Sequence, residues 1–136
     1  MRRSHASSLV AVVLGLSVVA SVMAGKKESA PDISIGELKA AIAENKVTVI
    51  DVNGTDSFKE AHIPGAINYE TANKSLSDVL PKDKDALIVA YCGGPECGAY
   101  KSATKAAIAM GYTNVKHLSV GLSGWKSAGE KTDKAS

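Results

Sequence analysis

The chain has 136 residues, 16 basic and 14 acidic side chains and a formal charge of +2, with 45% of its residues hydrophobic. That length supports one compact core, and so even a charge balance argues against a nucleic-acid partner, which needs a clustered basic face. Two cysteines in the whole chain exclude a disulfide-dense scaffold.

The N-terminal stretch reads as a targeting segment. Arg2 and Arg3 precede an almost unbroken apolar run from Leu9 to Ala20, and Val22, Met23 and Ala24 lead to a cleavage point before Gly25. This is the pattern of a cleavable export signal over residues 1–24, which predicts a periplasmic or secreted protein with no membrane attachment after cleavage. The apolar run is short against the roughly 20 residues of a membrane span, so an uncleaved anchor is the alternative. No cysteine follows the run to carry a lipid. Both arginines leave with the leader, and the lysines and acids of the remainder balance.

Residues 25–31 form a polar, flexible lead-in, residues 32–128 a single folded domain, and residues 129–136 a polar tail without apolar anchors, expected to be disordered. Ser34 and Glu37 have capping-box spacing, and Leu38, Ala41 and Ile42 continue a helix to about Glu44. Val47 to Val52 is a β-branched run, best read as a buried strand. Asn53-Gly54 is a turn, Ser57 to Ala61 one helical turn, and His62-Ile63-Pro64-Gly65 another turn before a short strand over Ala66–Tyr69. Leu76, Val79 and Leu80 mark a small helix stopped by Pro81.

The alternation then repeats: a strand over Ala86–Tyr91, a helix over Ala99–Met110 stopped by Gly111, a strand over Val115–Leu118 and a last helix over Gly121–Ala128. Strands alternating with helices predict an α/β fold, a parallel sheet with helices on both faces. Ligands of such sheets bind beyond the C-terminal strand ends, where Cys92 falls.

Cys92 ends an apolar run and opens the glycine-rich loop Cys92-Gly93-Gly94-Pro95-Glu96-Cys97-Gly98 ahead of a helix. Loop amides and the positive end of a helix dipole favour thiolate over thiol, so Cys92 is the candidate nucleophile. Cys97 has two readings: a resolving thiol paired with Cys92, or an idle staple or small loop residue. A bridge over so short a loop removes little unfolded-chain entropy, which weakens the staple as a main role. His62 and His117 read as packing residues. Together with the two cysteines they offer four potential zinc ligands, but their scatter and the Cys-x4-Cys spacing argue against a metal site. Trp125 reads as an anchor for the last helix, and Asp51 as structural or as an orienter of loop amides.

Four segments resemble a single-domain rhodanese: Val49-Ile50-Asp51-Val52, then Phe58 to Ala66 around His62-Ile63-Pro64-Gly65, then Cys92 in the nucleophile position, then Leu118, Gly121 and Trp125. The resemblance implies a roughly five-stranded parallel sheet and a ping-pong sulfurtransferase. Cys92 would take sulfane sulfur from a small donor, a polysulfide, persulfide or thiosulfate, and pass it to a thiol, cyanide or protein acceptor, with no cofactor. Gly93, Gly94, Pro95, Glu96, Cys97, Gly98 and Lys101 would shape the substrate loop.

Three departures stand out: Asn53 occupies a place where family members often carry arginine, many also carry one near the end of the active loop where the nearest basic residue here is Lys101, and the loop is expanded to a Cys-Gly-Gly-x-x-Cys form. A lysine does not reproduce a guanidinium fork for the thiosulfate dianion, and Glu96 adds negative charge. This favours a polysulfide or low-molecular-weight persulfide as donor. Two other functions compete. A non-catalytic sulfur or redox carrier would cycle the Cys92–Cys97 pair, and a phosphatase or arsenate reductase would need a loop-closing arginine that no residue after Arg3 supplies.

Overall fold

The computed structural model describes residues 30–136, and the expected leader and most of the lead-in lie outside them. Helix α1 (Ile35–Ala43) begins on the predicted capping box, with the Glu37 amide donating to Ser34 Oγ and the Ser34 amide to Glu37 Oε2, each at 3.1 Å. Strand β1 (Val47–Asp51) follows, then α2 (Thr55–Glu60), β2 (Ile67–Asn68) and a short α3 (Tyr69–Ala72) that hydrophobic spacing does not announce. The Asn68 side chain starts α3 by accepting from the Glu70 amide. A single 3-10 turn (Asn73–Ser75) leads to α4 (Leu76–Val79). The second half is β3 (Leu87–Tyr91), α5 (Tyr100–Ala109), β4 (Val115–His117) and α6 (Gly121–Ser127).

The sheet is parallel throughout, in the order β2-β1-β3-β4. Among the described residues four strands form where about five were expected. The edge beyond β4 is occupied by a single parallel bridge, Asp32 to His117, in which Ile33 donates to the His117 carbonyl and His117 donates to that of Pro31. Pro31 has no N–H, so the ladder cannot lengthen in that direction.

Alternating residues of the two central strands feed two cores, because successive strand side chains point to opposite faces. Ile50, Ile88 and Ala90 pack with Ala103 and Ala107 of α5 and with Leu76 and Leu80. Val49, Val89 and Tyr91 pack with Leu38 of α1, Ile63, Leu118 and Trp125 of α6. Ala103 and Ala107 are fully buried, so their small side chains bring α5 close to the sheet.

Residues 129–136, read from composition as a free tail, are hydrogen-bonded to the domain. Asp133 and His62 exchange both backbone bonds at 2.9 Å, Ala135 donates to the Lys59 carbonyl, and Trp125 Nε1 donates to the Lys131 carbonyl. These are backbone pairings, which a polar composition does not reveal.

Ile50 lies at the centre of the α5-side core with no exposure. Truncating it (Ile50→Ala) should cost about 2–5 kcal/mol through lost transfer energy and an unfilled cavity. Urea unfolding should show a lower midpoint with an unaltered slope.

Candidate active site

Strand β3 lies between β1 and β4, and Cys92 follows its last residue directly. Two bonds lock the start of the loop to the beginning of α6: the Leu122 amide donates to the Cys92 carbonyl at 2.8 Å and the Ser123 amide to the Gly93 carbonyl at 2.9 Å. Free amides at a helix start thus find acceptors in the loop. Every peptide bond described is trans. In a trans unit the N–H points opposite to the C=O, so the Gly93 and Gly94 amides face away from α6. Neither they nor the amides of Glu96, Gly98 and Ala99 donate to a backbone acceptor among the described residues. Helix α5 opens just beyond the loop without a side-chain cap.

Gly121 makes this approach possible. Its φ is +62°, and a Cβ there would fall 2.5 Å from the Gly94 nitrogen, 2.6 Å from the Cys92 oxygen and 2.8 Å from the Gly93 carbonyl carbon. Both the left-handed backbone and the space require glycine.

A buried relay sits beneath Cys92. The Tyr91 hydroxyl donates to Asp51 Oδ2 at 2.5 Å and accepts from the Ile63 amide at 2.9 Å, while Asp51 Oδ1 accepts from the Asn53 amide at 2.8 Å. This joins the ends of the paired strands β1 and β3 to the His62–Gly65 turn. Asp51 therefore orients one amide, that of Asn53, which leads into the site. Tyr91 was not singled out in the sequence, although a phenol ending an otherwise apolar strand needs a buried partner. Burial raises the Asp51 pKa above the ordinary carboxylate value, with the bonds from Tyr91 and Asn53 opposing the shift. Burial, and then the adjacent carboxylate, push the Tyr91 phenol upward as well.

Cys92 and Cys97 are joined as a disulfide, with a Cα–Cα separation of 6.2 Å, inside the usual range. Cys92 is only 2% exposed, so its sulfur is sheltered in this state, contrary to the open presentation that a nucleophile suggests. The physical reason is its place at the end of a central strand beneath its own loop. Cys97 is half-buried, while Gly93, Pro95, Glu96, Gly98 and Ala99 are exposed. Within the loop one backbone bond forms, from the Cys97 amide to the Gly94 carbonyl. Lys101 is exposed in the first turn of α5 and makes no ion pair among the described residues.

Asn53 lies beside the loop, its Oδ1 3.5 Å from the place of a Gly93 Cβ. Its Nδ2 is buried with no hydrogen-bond partner. Asn53 also lines an open hollow of about 400 Å³ with Gly54, Thr55, Asp56, Ser57 and Glu70. The side-chain bond to Thr55, and then the bond from the Thr55 amide, hold the Glu70 carboxyl below its ordinary value. The hollow therefore carries negative charge on its rim.

The remaining sequence candidates are engaged elsewhere. His62 stacks on Phe58 with ring centroids 3.8 Å apart, and its Nδ1 lies 2.7 Å from the Phe58 carbonyl oxygen. His117 stacks on Tyr100, and its Nδ1 lies 2.8 Å from the Ala30 carbonyl oxygen. No cluster of three or more metal-binding side chains forms among the described residues.

A parallel α/β sheet with a cysteine loop at the end of a central strand defines a class of one-domain folds, and comparison with known proteins specifies it. The rhodanese-like domain family matches residues 34–128, and the chain belongs to that family. It is 36% identical over 121 residues to an HTH-type transcriptional regulator of Mycobacterium tuberculosis, covering 87% of this chain but only 50% of the regulator. It is 26% identical over 93 residues to the thiosulfate sulfurtransferase GlpE of Pseudomonas savastanoi, covering 66% of this chain and 82% of that protein. The solution structure of a rhodanese-like domain from Anabaena superposes with a TM-score of 0.62 at 26% identity, over 77% of this chain and 80% of that one.

Two outcomes follow from this geometry. Gly121→Ala should destabilise the domain on the order of 2–4 kcal/mol, combining left-handed strain with overlap. The amide resonances of Cys92, Gly93 and Gly94 should shift most, and an unperturbed loop would contradict the packing described. The Asp51 carboxyl holds its proton more readily when folded than when unfolded. Its contribution to stability is therefore fully present below the unfolded pKa and is lost as pH rises through the higher folded value. Denaturant stability of the wild type relative to Asp51→Asn should fall as pH rises from about 3 to about 7, and a flat difference would contradict desolvation of this group.

Proposed function

We propose that this rhodanese-like domain is a sulfurtransferase that carries sulfane sulfur as a persulfide on Cys92. The observation that carries this reading is the orientation of the loop start: two carbonyls bound to α6 leave the Gly93 and Gly94 amides facing the other way without backbone acceptors. Such amides suit a persulfide, an anion with little hydrogen bonding of its own. In the first half-reaction the Cys92 thiolate attacks the sulfane sulfur of a donor, forming a Cys92 S–S bond and expelling the donor thiolate. In the second, an acceptor attacks the outer sulfur and regenerates the Cys92 thiolate.

The donor is a polysulfide or low-molecular-weight persulfide. Asn53 offers a neutral amide beside Gly93, and Asp56 and Glu70 on the adjoining hollow disfavour a dianion such as thiosulfate. The acceptor is a thiol, cyanide or a protein thiol. The proposed compartment is periplasmic or extracellular, a reading that rests on the pattern of Arg2 to Ala24.

Cys92→Ala should abolish sulfur transfer, read as loss of thiocyanate formation from polysulfide and cyanide above the uncatalysed rate. Steady-state turnover by the wild type should favour inorganic polysulfide over thiosulfate, and a strong preference for thiosulfate would overturn the donor assignment.

A further inference from the structure

The two cysteines sit on unequal supports. Cys92 is fixed: it follows β3, its carbonyl and that of Gly93 are bound to α6, and Gly121 packs against the backbone between them. Cys97 lies on the other arm of the loop, where its amide bonds only back to Gly94 and its neighbours Glu96 and Gly98 are exposed. Nevertheless its sulfur is bonded to that of Cys92. Cys92 as a residue is 2% exposed, whereas Cys97 is half-buried.

As a staple this bridge has little to hold. Its sequence separation is five, and its flanks are already ordered by β3 and α5, so it closes a short loop between elements fixed by the core. The entropic stabilisation from a closed loop shrinks with loop length. As a redox pair the arrangement has a clear use, because the residue bonded to Cys92 lies on the less firmly held arm and is the more exposed of the two, while the other is the one that accepts sulfur.

We infer that Cys97 is a resolving thiol, which turns the Cys92 persulfide into hydrosulfide and makes the domain a dithiol-dependent sulfane-sulfur reductase. The inference rests on the persulfide reading above and adds its outcome. The Cys97 thiolate, having given up its proton, attacks the inner sulfur on Cys92. The Cys92–Cys97 bond forms, the bond between the Cys92 sulfur and the sulfane sulfur breaks, and the sulfane sulfur leaves with the electron pair as hydrosulfide. The sulfane sulfur is thereby reduced by two electrons and the two cysteine thiols are oxidised by two. An external dithiol then attacks the Cys97 sulfur, forms a mixed disulfide, and closes its own disulfide to restore both cysteines. The class of reaction that must accompany this one therefore supplies a reduced dithiol.

Cys97 also decides the fate of the bound sulfur. With Cys97 oxidised onto Cys92 the nucleophile is blocked. With Cys97 reduced, the persulfide is consumed internally unless an external acceptor reaches its outer sulfur first.

The test is a single turnover of the pre-reduced, desalted protein with glutathione persulfide and no other reductant, followed by intact mass and hydrosulfide analysis. Wild type should release hydrosulfide stoichiometrically and lose two hydrogens in mass. Cys97→Ser and Cys97→Ala, checked for folding by thermal melts, should instead retain one added sulfur that cyanide removes, with loss of hydrosulfide release. If wild type retains the added sulfur as the variants do, the resolving role is overturned while the sulfurtransferase reading stands. If no protein gains sulfur and wild type merely loses two hydrogens without releasing hydrosulfide, both readings fall.

Discussion

Two backbone hydrogen bonds, from Leu122 and Ser123 to the carbonyls of Cys92 and Gly93, set the geometry of the active loop. They turn the carbonyls toward α6 and so turn the next amides away from it, because a trans peptide leaves no other choice. They also explain why α6 begins where it does. Gly121 must occupy a left-handed backbone with no Cβ, because a Cβ there would come within 3 Å of the loop backbone against which the first turn of α6 lies. A side chain at this position would push apart the elements that hold Cys92.

A second constraint keeps β1 and β3 in step below the loop. Asp51 and Tyr91 are register partners in the parallel ladder, and both are fully buried. Burying a carboxyl and a phenol is unfavourable unless each finds a partner, and here they partner one another, with the Asn53 and Ile63 amides completing the set. The cost of desolvation is offset by fixing three chain segments that border the site: the exit of β1, the exit of β3 and the turn after His62. The tail adds a further hold on that turn through the paired backbone bonds between His62 and Asp133.

The parts of this architecture that hydrophobic periodicity encodes were legible in the sequence. The β-branched run at Val47, the apolar run ending at Tyr91, the Ser34–Glu37 cap and the small-residue face of α5 locate their elements to within a residue or two. Helix α3 was not legible, since its single turn starts from an Asn68 side-chain bond and not from a repeating apolar face. Beyond β4 only one bridge, at Asp32, forms among the described residues, beside Pro31, which lacks a donor. At the site, Cys92 and its loop announced themselves through residue type and position. The Tyr91 relay, the burial of Cys92 and the attachment of the tail all depend on contacts between segments far apart in the chain, and no local pattern carries them.

The chemistry of the site follows from what surrounds the sulfur as much as from the sulfur itself. With Asn53 beside the loop and no arginine among the described residues, the loop presents the neutral N–H groups of Gly93 and Gly94 and little formal positive charge. Neutral donors hold a soft, weakly hydrated persulfide anion without attracting hard oxyanions, for which a guanidinium fork is the better partner. The acidic rim at Asp56 and Glu70 reinforces that discrimination by repelling dianions. On the persulfide proposal, these surroundings favour a sulfane-sulfur donor over an oxyanion at the point of entry.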